Sequence, residues 1–243
     1  MSLDPVPPFD RTALLLDLDG TLLELAARPD TVVVPPGLPD TLRTLRDRLG
    51  GALGIITGRP VEAIDALLGD TPYAVAGEHG GAVRYAPGEP LERPSLPTPP
   101  PEWLEAAEHL KTTHPGALLE RKARGFTLHY RAVPEAGPAM RVALAAMLAG
   151  STEFELLPAH MLWEVRPLGV DKGTALQALM TRAPFAGRLP VFIGDDVTDE
   201  DGMRAARILG GAGLRVDEAF GTPAGVRAWL RDAAEHGHWP ALP

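Results

Sequence analysis

Two carboxylates one residue apart, Asp17 and Asp19, lie in the run Asp17-Leu18-Asp19-Gly20-Thr21, directly behind the apolar segment Ala13-Leu14-Leu15-Leu16. Acids this close repel each other unless a proton or a cation intervenes. The pattern suits a divalent metal held by oxygen ligands. It also suits a carboxylate nucleophile with a second carboxyl group beside it for proton transfer. An apolar run that stops at two acids and a glycine reads as a buried strand ending in a loop. In open α/β sheets, ligands bind just outside the carboxyl ends of strands. Taken alone, the segment also reads as a core strand followed by an Asp-Gly turn.

Three further strand ends carry polar loops: Thr57-Gly58-Arg59, Glu78-His79-Gly80 and Gly194-Asp195-Asp196-Val197-Thr198-Asp199-Glu200. A parallel sheet would gather all four on one edge. The acidic run 195–201 has an ordinary alternative as a solvated helix N-terminus, where the helix dipole favours acids. A calcium loop fails on spacing: with Gly202 as the loop glycine, Val197 and Ile208 would occupy positions that require acids. Thr57 stands where a hydroxyl and the N–H groups of a following helix can hold an anion. Lys172 opens a helix just before Gly173. Most lysines in such places are surface residues, but this one lies at the return into the sheet and can act as a point charge for phosphate.

The elements that must position these groups alternate strand and helix. A helix is expected over residues 40–49, with Leu38, Leu42, Leu45 and Leu49 on one face and Gly50-Gly51 at its stop. A strand over 53–56 follows, then a helix with Pro60 at its first position, then a strand over 73–76. Between residues 86 and 101 stand seven prolines, at 87, 90, 94, 97, 99, 100 and 101; this stretch reads as a stiff connector. Beyond it the order is a helix over 102–111, strands near 118–122 and 126–131, a helix over 138–148, and strands near 154–157 and 161–166. The parallel pattern then resumes with a helix over 172–182, a strand over 191–193, a helix over 199–208, a strand near 214–216 and a helix over 223–234. The expected fold is α/β: a doubly wound, Rossmann-like parallel-sheet core over 1–85 and 168–243, interrupted by a small α+β insertion over 102–167.

Bulk properties narrow the classes. The chain has 243 residues, 45 % hydrophobic and 23 % charged, which is ordinary for a globular protein. A formal net charge of −9 argues against a nucleic-acid partner. The absence of cysteine excludes disulfides, thiolate catalysis and Cys-bound zinc. No segment approaches the ~20 apolar residues of a membrane span. The proline-rich, acidic first ten residues lack the basic start of a signal peptide, so a cytoplasmic location is expected.

In the insertion, residues two apart on a strand share a face. Glu120 pairs in this way with Lys122, His129 with Arg131, and Glu164 with Arg166, while Met161, Trp163 and Val165 form the opposite, apolar face of the last strand. The polar face is expected to act as a lid over the site, or to be an ordinary solvated face.

The Asp17-Leu18-Asp19-Gly20-Thr21 loop, Thr57, Lys172 and the acidic run from Gly194 together resemble the haloacid dehalogenase-like phosphotransferase superfamily. They match its Asp-x-Asp-Gly-Thr loop, its Ser/Thr on the second strand, its downstream Lys and its Gly-Asp-Asp motif. The resemblance implies that Asp17 attacks phosphorus and that Asp19 is the acid and base. Mg²⁺ would be held by Asp17, the backbone carbonyl of Asp19 and Asp195, and its surroundings would be ordered by Asp196 and Asp199. Thr57 and Lys172 would stabilise charge in catalysis, and Gly20, Thr57, Gly58, Arg59 and Lys172 would bind phosphate.

A more specific set is Glu120-Arg121-Lys122, His129-Tyr130-Arg131, Glu164-Val165-Arg166-Pro167, Asp171-Lys172-Gly173 and the whole run 194–200. It resembles the trehalose-6-phosphate phosphatase family through nearly the entire chain. It implies that Glu120, Lys122 and Glu164 bind the distal sugar, with Arg131 and His79 as further candidates; His79 also suits a structural role. Leu18 stands where that family usually has Phe, Thr57 where it often has Ser, and Gly202-Met203 in place of a bulkier pair. The expected reaction is Mg²⁺-dependent hydrolysis of trehalose 6-phosphate in trehalose biosynthesis, functionally linked to a trehalose-phosphate synthase. The alternatives are a phosphatase of sucrose phosphate or mannosyl-phosphoglycerate, a mutase, and a silent sugar-phosphate-binding module. The last would lack a nucleophile, an acid or a metal ligand, and none is missing.

Overall fold

The apolar run ahead of Asp17 is a strand, β1 (Thr12–Leu16), in the computed structural model of the chain. The structure describes residues 4–26, 28, 31–93, 95–122 and 124–242. Pro94 of the expected connector and the first three residues lie outside this set. All five residues of β1 are buried, as are all four of β2 (Leu53–Ile56) and of β3 (Ala74–Gly77). Strands covered on both faces read as continuous apolar runs rather than alternating ones, which is why each was legible as a block. Between them lie α1 (Leu38–Arg48) and α2 (Val61–Leu68). Pro60 is the N-cap of α2 and not its first residue.

After β3 the chain turns through a single 3₁₀ turn, Glu78–Gly80, and returns antiparallel as β4 (Ala82–Arg84). This edge strand was not expected from the sequence; three residues are too few to show a period. Val83 then forms a bridge to Glu92, so the chain stays with this sheet well into the expected connector.

The chain divides into two units, Met1–Arg93 with Asp171–Pro243, and Pro94–Val170. The second unit runs α3 (Pro101–Thr113), β5 (Leu118–Lys122), β6 (Gly125–His129), α4 (Gly137–Met147), β7 (Phe154–Ala159) and β8 (Leu162–Pro167). Its strands form an antiparallel sheet in the order β5-β6-β8-β7. Phe126, Leu128, Phe154 and Val165 from the sheet share a core with Ala107 of α3 and Leu144 of α4. Two expectations shift here. Arg131 lies beyond the end of β6 and is exposed, so it does not continue the face of His129. Met161 lies in the turn before β8 with φ of 59°, which leaves Trp163 and Val165 as that strand's apolar face.

The first unit resumes with α5 (Lys172–Met180), β9 (Leu189–Gly194), α6 (Asp199–Ile208), β10 (Ala212–Arg215), the short α7 (Val216–Ala219) and α8 (Pro223–His236). Its sheet has the order β10-β9-β1-β2-β3-β4, parallel except at β4. The chain moves from β1 to β2 and β3 on one side, then returns to β9 and β10 on the other. The end of β1 is therefore the point where the winding reverses, the place where such sheets bind ligands. Asp17 is the next residue. Among the described residues, no helix is long and apolar enough to cross a membrane.

Leu16, fully buried against the sheet's neighbours, fixes the strand just before Asp17. Leu16→Ala should cost about 2–5 kcal/mol of stability, read as a lower urea midpoint with an unchanged slope. Leu16→Met, which keeps the volume, should cost under ~1.5 kcal/mol.

Candidate active site

Lys172 is buried, 2 % exposed, although lysine is among the residues least often found inside. Its ammonium donates to Asp17 Oδ1 at 2.7 Å and to Asp199 Oδ1 at 2.6 Å. Its placement starts one residue earlier. Asp171 caps α5: its Oδ1 accepts the Thr174 N–H at 2.7 Å, and the Thr174 hydroxyl accepts the Asp171 N–H at 3.1 Å. This reciprocal cap fixes where the helix begins, and so sets the direction from which Lys172 reaches the end of β1.

Asp199, the first residue of α6, folds back over the loop that precedes it. Its Oδ2 accepts the N–H groups of Asp195 and Asp196, both at 3.0 Å. The fold-back needs Gly194, where a Cβ would lie 2.3 Å from Asp199 Cγ. Asp196 Oδ1 accepts the N–H and the hydroxyl of Thr198 at 2.8 and 2.7 Å. Asp195 Oδ1 accepts the Thr21 hydroxyl at 3.3 Å, and Arg215 Nη2 donates to the Asp195 carbonyl at 2.9 Å.

Gly20 brings the two loops together. Its φ is 78°, a left-handed value that glycine adopts freely, and a Cβ there would lie 2.1 Å from Asp195 Oδ2. Its N–H donates to Leu23 O at 2.8 Å within the loop. With that N–H engaged inside the loop, the observed part of Gly20 is the space its missing side chain leaves for Asp195.

Thr57 is buried, and its hydroxyl accepts the Arg59 N–H at 3.3 Å. Because α2 begins only at Val61, the anion-binding candidates near Thr57 are loop groups and not a helix N-terminus. Arg59 donates from Nε to Asp19 Oδ2 at 2.6 Å and from Nη2 to Asp19 Oδ1 at 2.7 Å. His79 is buried with φ of 57°; its Nε2 lies 2.6 Å from where a Gly58 Cβ would stand, and its N–H donates to Thr57 O at 3.0 Å. Asp17, Asp19, Gly20, Thr57, Gly58, Arg59, His79, Lys172, Asp195, Asp196 and Asp199 thus gather at one sheet edge of the first unit. Three contacts were not foreseen: Thr21 on Asp195, Arg59 on Asp19, and Arg215 on the Asp195 carbonyl. Arg215 ends β10, so the rule that polar strand ends converge would have found it.

Glu120, Lys122 and Glu164 lie together on one face of the second unit's sheet. Lys122 Nζ donates to Glu164 Oε1 at 2.6 Å, and His129 Nε2 and Glu120 Oε2 are 3.0 Å apart. Lys122 reaches across β6 to β8 where its cross-strand partner is Gly125, which has no side chain to obstruct it. The His129 hydrogen bond holds the Glu120 carboxyl below its usual range, against the opposing effect of burial.

The charges at the first unit's sheet edge do not balance. Burial and then repulsion from Asp199 push Asp17 well above the ordinary aspartate range, although Lys172 opposes them. Burial, Asp199 and Asp196 push Asp195 up to about 7. Burial raises Asp199 against the pull of Lys172. Asp196 is the exception: burial would raise it, but Lys172 and the Thr198 hydrogen bonds hold it low. Burial alone would lower Lys172, yet Asp17 and Asp199 outweigh it and keep the ammonium charged. One buried cation thus faces several acids.

Asp17, Asp195 and Asp199 each place a carboxylate oxygen within 4.8 Å of the others'. Hard oxygen donors in excess of cations suit a small divalent ion. The Asp199 oxygens already serve Lys172 and two amides, so Asp17 and Asp195 are the better candidates for direct ligands.

Burial raises both Asp17 and Asp195 in the native state, so the unfolded chain releases these protons at lower pH than the folded one does. Stability in EDTA should therefore fall as pH rises from about 4 toward about 7. Lys172→Met should deepen the fall, costing about 3–5 kcal/mol at pH 7 and less at pH 5, where the acids regain protons. Urea unfolding at both values measures it. A variant as stable as wild type at pH 7 would contradict this account of the charge.

Comparison with known proteins agrees with the geometry. A family profile described as Trehalose-phosphatase matches residues 15–218. A Sinorhizobium fredii protein named "Probable trehalose-phosphate phosphatase" is 37 % identical over 210 residues, covering 86 % of this chain and 78 % of that one. The Escherichia coli trehalose-6-phosphate phosphatase is 36 % identical over 218 residues, covering 89 % and 80 %. The C-terminal domain of the C. albicans trehalose-6-phosphate phosphatase superposes with a TM-score of 0.80 at 21 % identity, covering 93 % of this chain and 92 % of that one. That structural likeness bears on the fold alone. With the profile and the two relatives spanning most of its length, this chain belongs to the trehalose-phosphatase family.

Proposed function

We propose that the protein hydrolyses trehalose 6-phosphate to trehalose and phosphate through an aspartyl phosphate on Asp17, in a Mg²⁺-dependent reaction of trehalose biosynthesis. The observation that carries this reading is the end of β1, where Asp17 meets Lys172 within 2.7 Å and Asp19 stands two residues on. The relatives' names supply the substrate.

An Asp17 carboxylate oxygen attacks phosphorus. The bond from phosphorus to the sugar oxygen breaks, and its electron pair stays on that oxygen, which takes a proton from Asp19. Asp19, now a carboxylate, then removes a proton from water as the water attacks phosphorus. Phosphate leaves and Asp17 is restored. Thr57 and the Gly58 amide hold phosphate oxygens, and Lys172 faces them with a fixed charge that needs no reorganisation during reaction. Mg²⁺, held by Asp17, Asp195 and the Asp19 carbonyl, would supply the positive charge that lets Asp17 react as a carboxylate among its acidic neighbours. Asp196 and Asp199 order the loop that carries Asp195.

The sugar is read by Glu120, Lys122 and Glu164, with Arg131 and His79 as further contacts. Carboxylates and ammonium groups are strong acceptors and donors for hydroxyls. Lys122 and Glu164 already neutralise each other, so they can meet a neutral sugar without leaving an unpaired charge. The proposed location is cytoplasmic, and a trehalose-phosphate synthase is the proposed source of the ester.

Asp17→Asn should abolish phosphate release from trehalose 6-phosphate while leaving the urea midpoint at or above that of wild type. Retained turnover in a folded variant would sink the nucleophile assignment. EDTA should abolish activity, and Mg²⁺ at 100 times its Kd should stabilise the protein by about 2.7 kcal/mol through mass action, readable as a shift in Tm without substrate.

Glu120→Gln keeps the shape and removes an acceptor's charge. It should raise KM for trehalose 6-phosphate about tenfold, the effect of roughly 1.4 kcal/mol, and leave a small aryl phosphate nearly unchanged. Equal effects on the two esters would remove Glu120 from sugar recognition.

A further inference from the structure

Arg59 lies beside Thr57, where a cation for the substrate's phosphate would be expected, yet its guanidinium is committed to Asp19. Nε donates to Oδ2 at 2.6 Å and Nη2 to Oδ1 at 2.7 Å, so the guanidinium edge meets both carboxylate oxygens. The side chains are 13 % and 30 % exposed, so the pair is partly shielded from water. A two-point contact of this kind fixes the plane of the carboxylate as well as its position. The guanidinium is itself aimed from a pinned main chain. The Arg59 N–H donates to Thr57 Oγ1 at 3.3 Å, and its carbonyl accepts the Glu78 N–H at 2.9 Å. That same carbonyl lies 2.7 Å from where a Gly77 Cβ would stand, so β3 packs directly against it.

We propose that Arg59 is a positioning residue that works through Asp19 and is not a ligand of the phosphate. It holds the Asp19 carboxyl group in the orientation in which it meets the ester oxygen. In the protonated form one carboxyl oxygen stays on the guanidinium, while the other leaves it, carries the proton and gives it to the ester oxygen; the two-point contact of the carboxylate re-forms once that proton has gone. The proposal rests on the phosphatase reading above, in which the bond from Asp17 to phosphorus forms as the bond from phosphorus to the ester oxygen breaks. The electron pair passes to the leaving oxygen, and the proton from Asp19 neutralises it.

The leaving group separates the two roles of Arg59. A sugar alkoxide is a poor leaving group and depends on that proton. A 4-nitrophenolate leaves without one. A residue that orients the acid therefore matters for the sugar ester and little for the aryl ester, whereas a phosphate ligand matters equally for both. Arg59→Lys sharpens the contrast, because it keeps a positive charge near the phosphate but cannot grip both carboxylate oxygens.

The experiment measures kcat/KM for trehalose 6-phosphate and for 4-nitrophenyl phosphate in wild type, Arg59→Ala and Arg59→Lys. It uses saturating Mg²⁺, with the inhibition constant of inorganic phosphate measured in parallel. In both variants kcat/KM for the sugar ester should fall about 100-fold, the lower end of the range for general acid catalysis. The aryl ester should lose much less, and the phosphate inhibition constant should hold. Adding Arg59→Lys to Asp19→Asn should cause little further loss, since two residues on one path do not add. Circular dichroism and the urea midpoint report folding, and the lysine variant carries the test if the alanine variant does not fold. Equal losses on the two esters, weaker inhibition by phosphate, rescue by lysine, or additive losses with Asp19→Asn would each overturn the role of Arg59 while leaving the phosphatase reading intact. A wild-type protein that releases phosphate from neither ester, even with Mg²⁺, would overturn that reading and this proposal with it.

Discussion

The ammonium of Lys172, buried between Asp17 and Asp199, is the interaction on which the rest of the first unit's site depends. An exposed pair such as Arg43 with Asp40 is worth about 0–1 kcal/mol. A buried pair is different in kind, because removing one partner strands a charge away from water. Lys172 reaches its place only because Asp171 caps α5 at that point. Asp199 reaches it only because Gly194 has no side chain. Two helices and the end of β1 therefore meet at one nitrogen. The acids still outnumber the cation, and the imbalance, not any one carboxylate, is what makes the site receptive to a second positive charge.

Close approach is the other constraint. Asp195 can sit beside the Asp17 loop because Gly20 adopts a left-handed conformation and leaves the space that a Cβ would fill. The loop uses its own N–H groups internally: Gly20 bonds Leu23, and Leu22 and Leu23 both bond Leu18. Asp17 and Asp19 consequently project from a loop that is already satisfied, and their different partners separate their chemistry. Asp17 is buried and faces an ammonium; Asp19 is partly exposed and faces a guanidinium fork.

The second unit solves a different problem. Its sheet must cover an apolar core with one face and present charge on the other. It does so by pairing charges across strands, Lys122 with Glu164 and Arg166 with Glu155. A face built in this way offers many donors and acceptors with little net charge, which suits a hydroxyl-rich ligand better than an anion.

Much of this was legible in the sequence because parallel strands buried on both faces leave unbroken apolar blocks, and the polar residue that ends each block marks the sheet edge. Asp17, Thr57, His79 and Asp195 were found in that way, and α6 was placed at its observed bounds. The short edge strand β4 was missed because three residues carry no period, and Pro60 was set one position late because proline serves either as a cap or as a first helical residue. The sequence by itself determined the order of the longer strands and helices, the insertion and most of the charged groups at the strand ends. Only the tertiary structure decided which charge meets which: that Lys172 joins Asp17 to Asp199, that Arg59 grips Asp19, that a side chain on Gly20 would collide with Asp195, and that Arg131 falls beyond its strand. Pairing depends on distances between residues as much as 174 positions apart in the chain, as for Thr21 and Asp195, and a local pattern holds no record of which distant strand end will lie beside it.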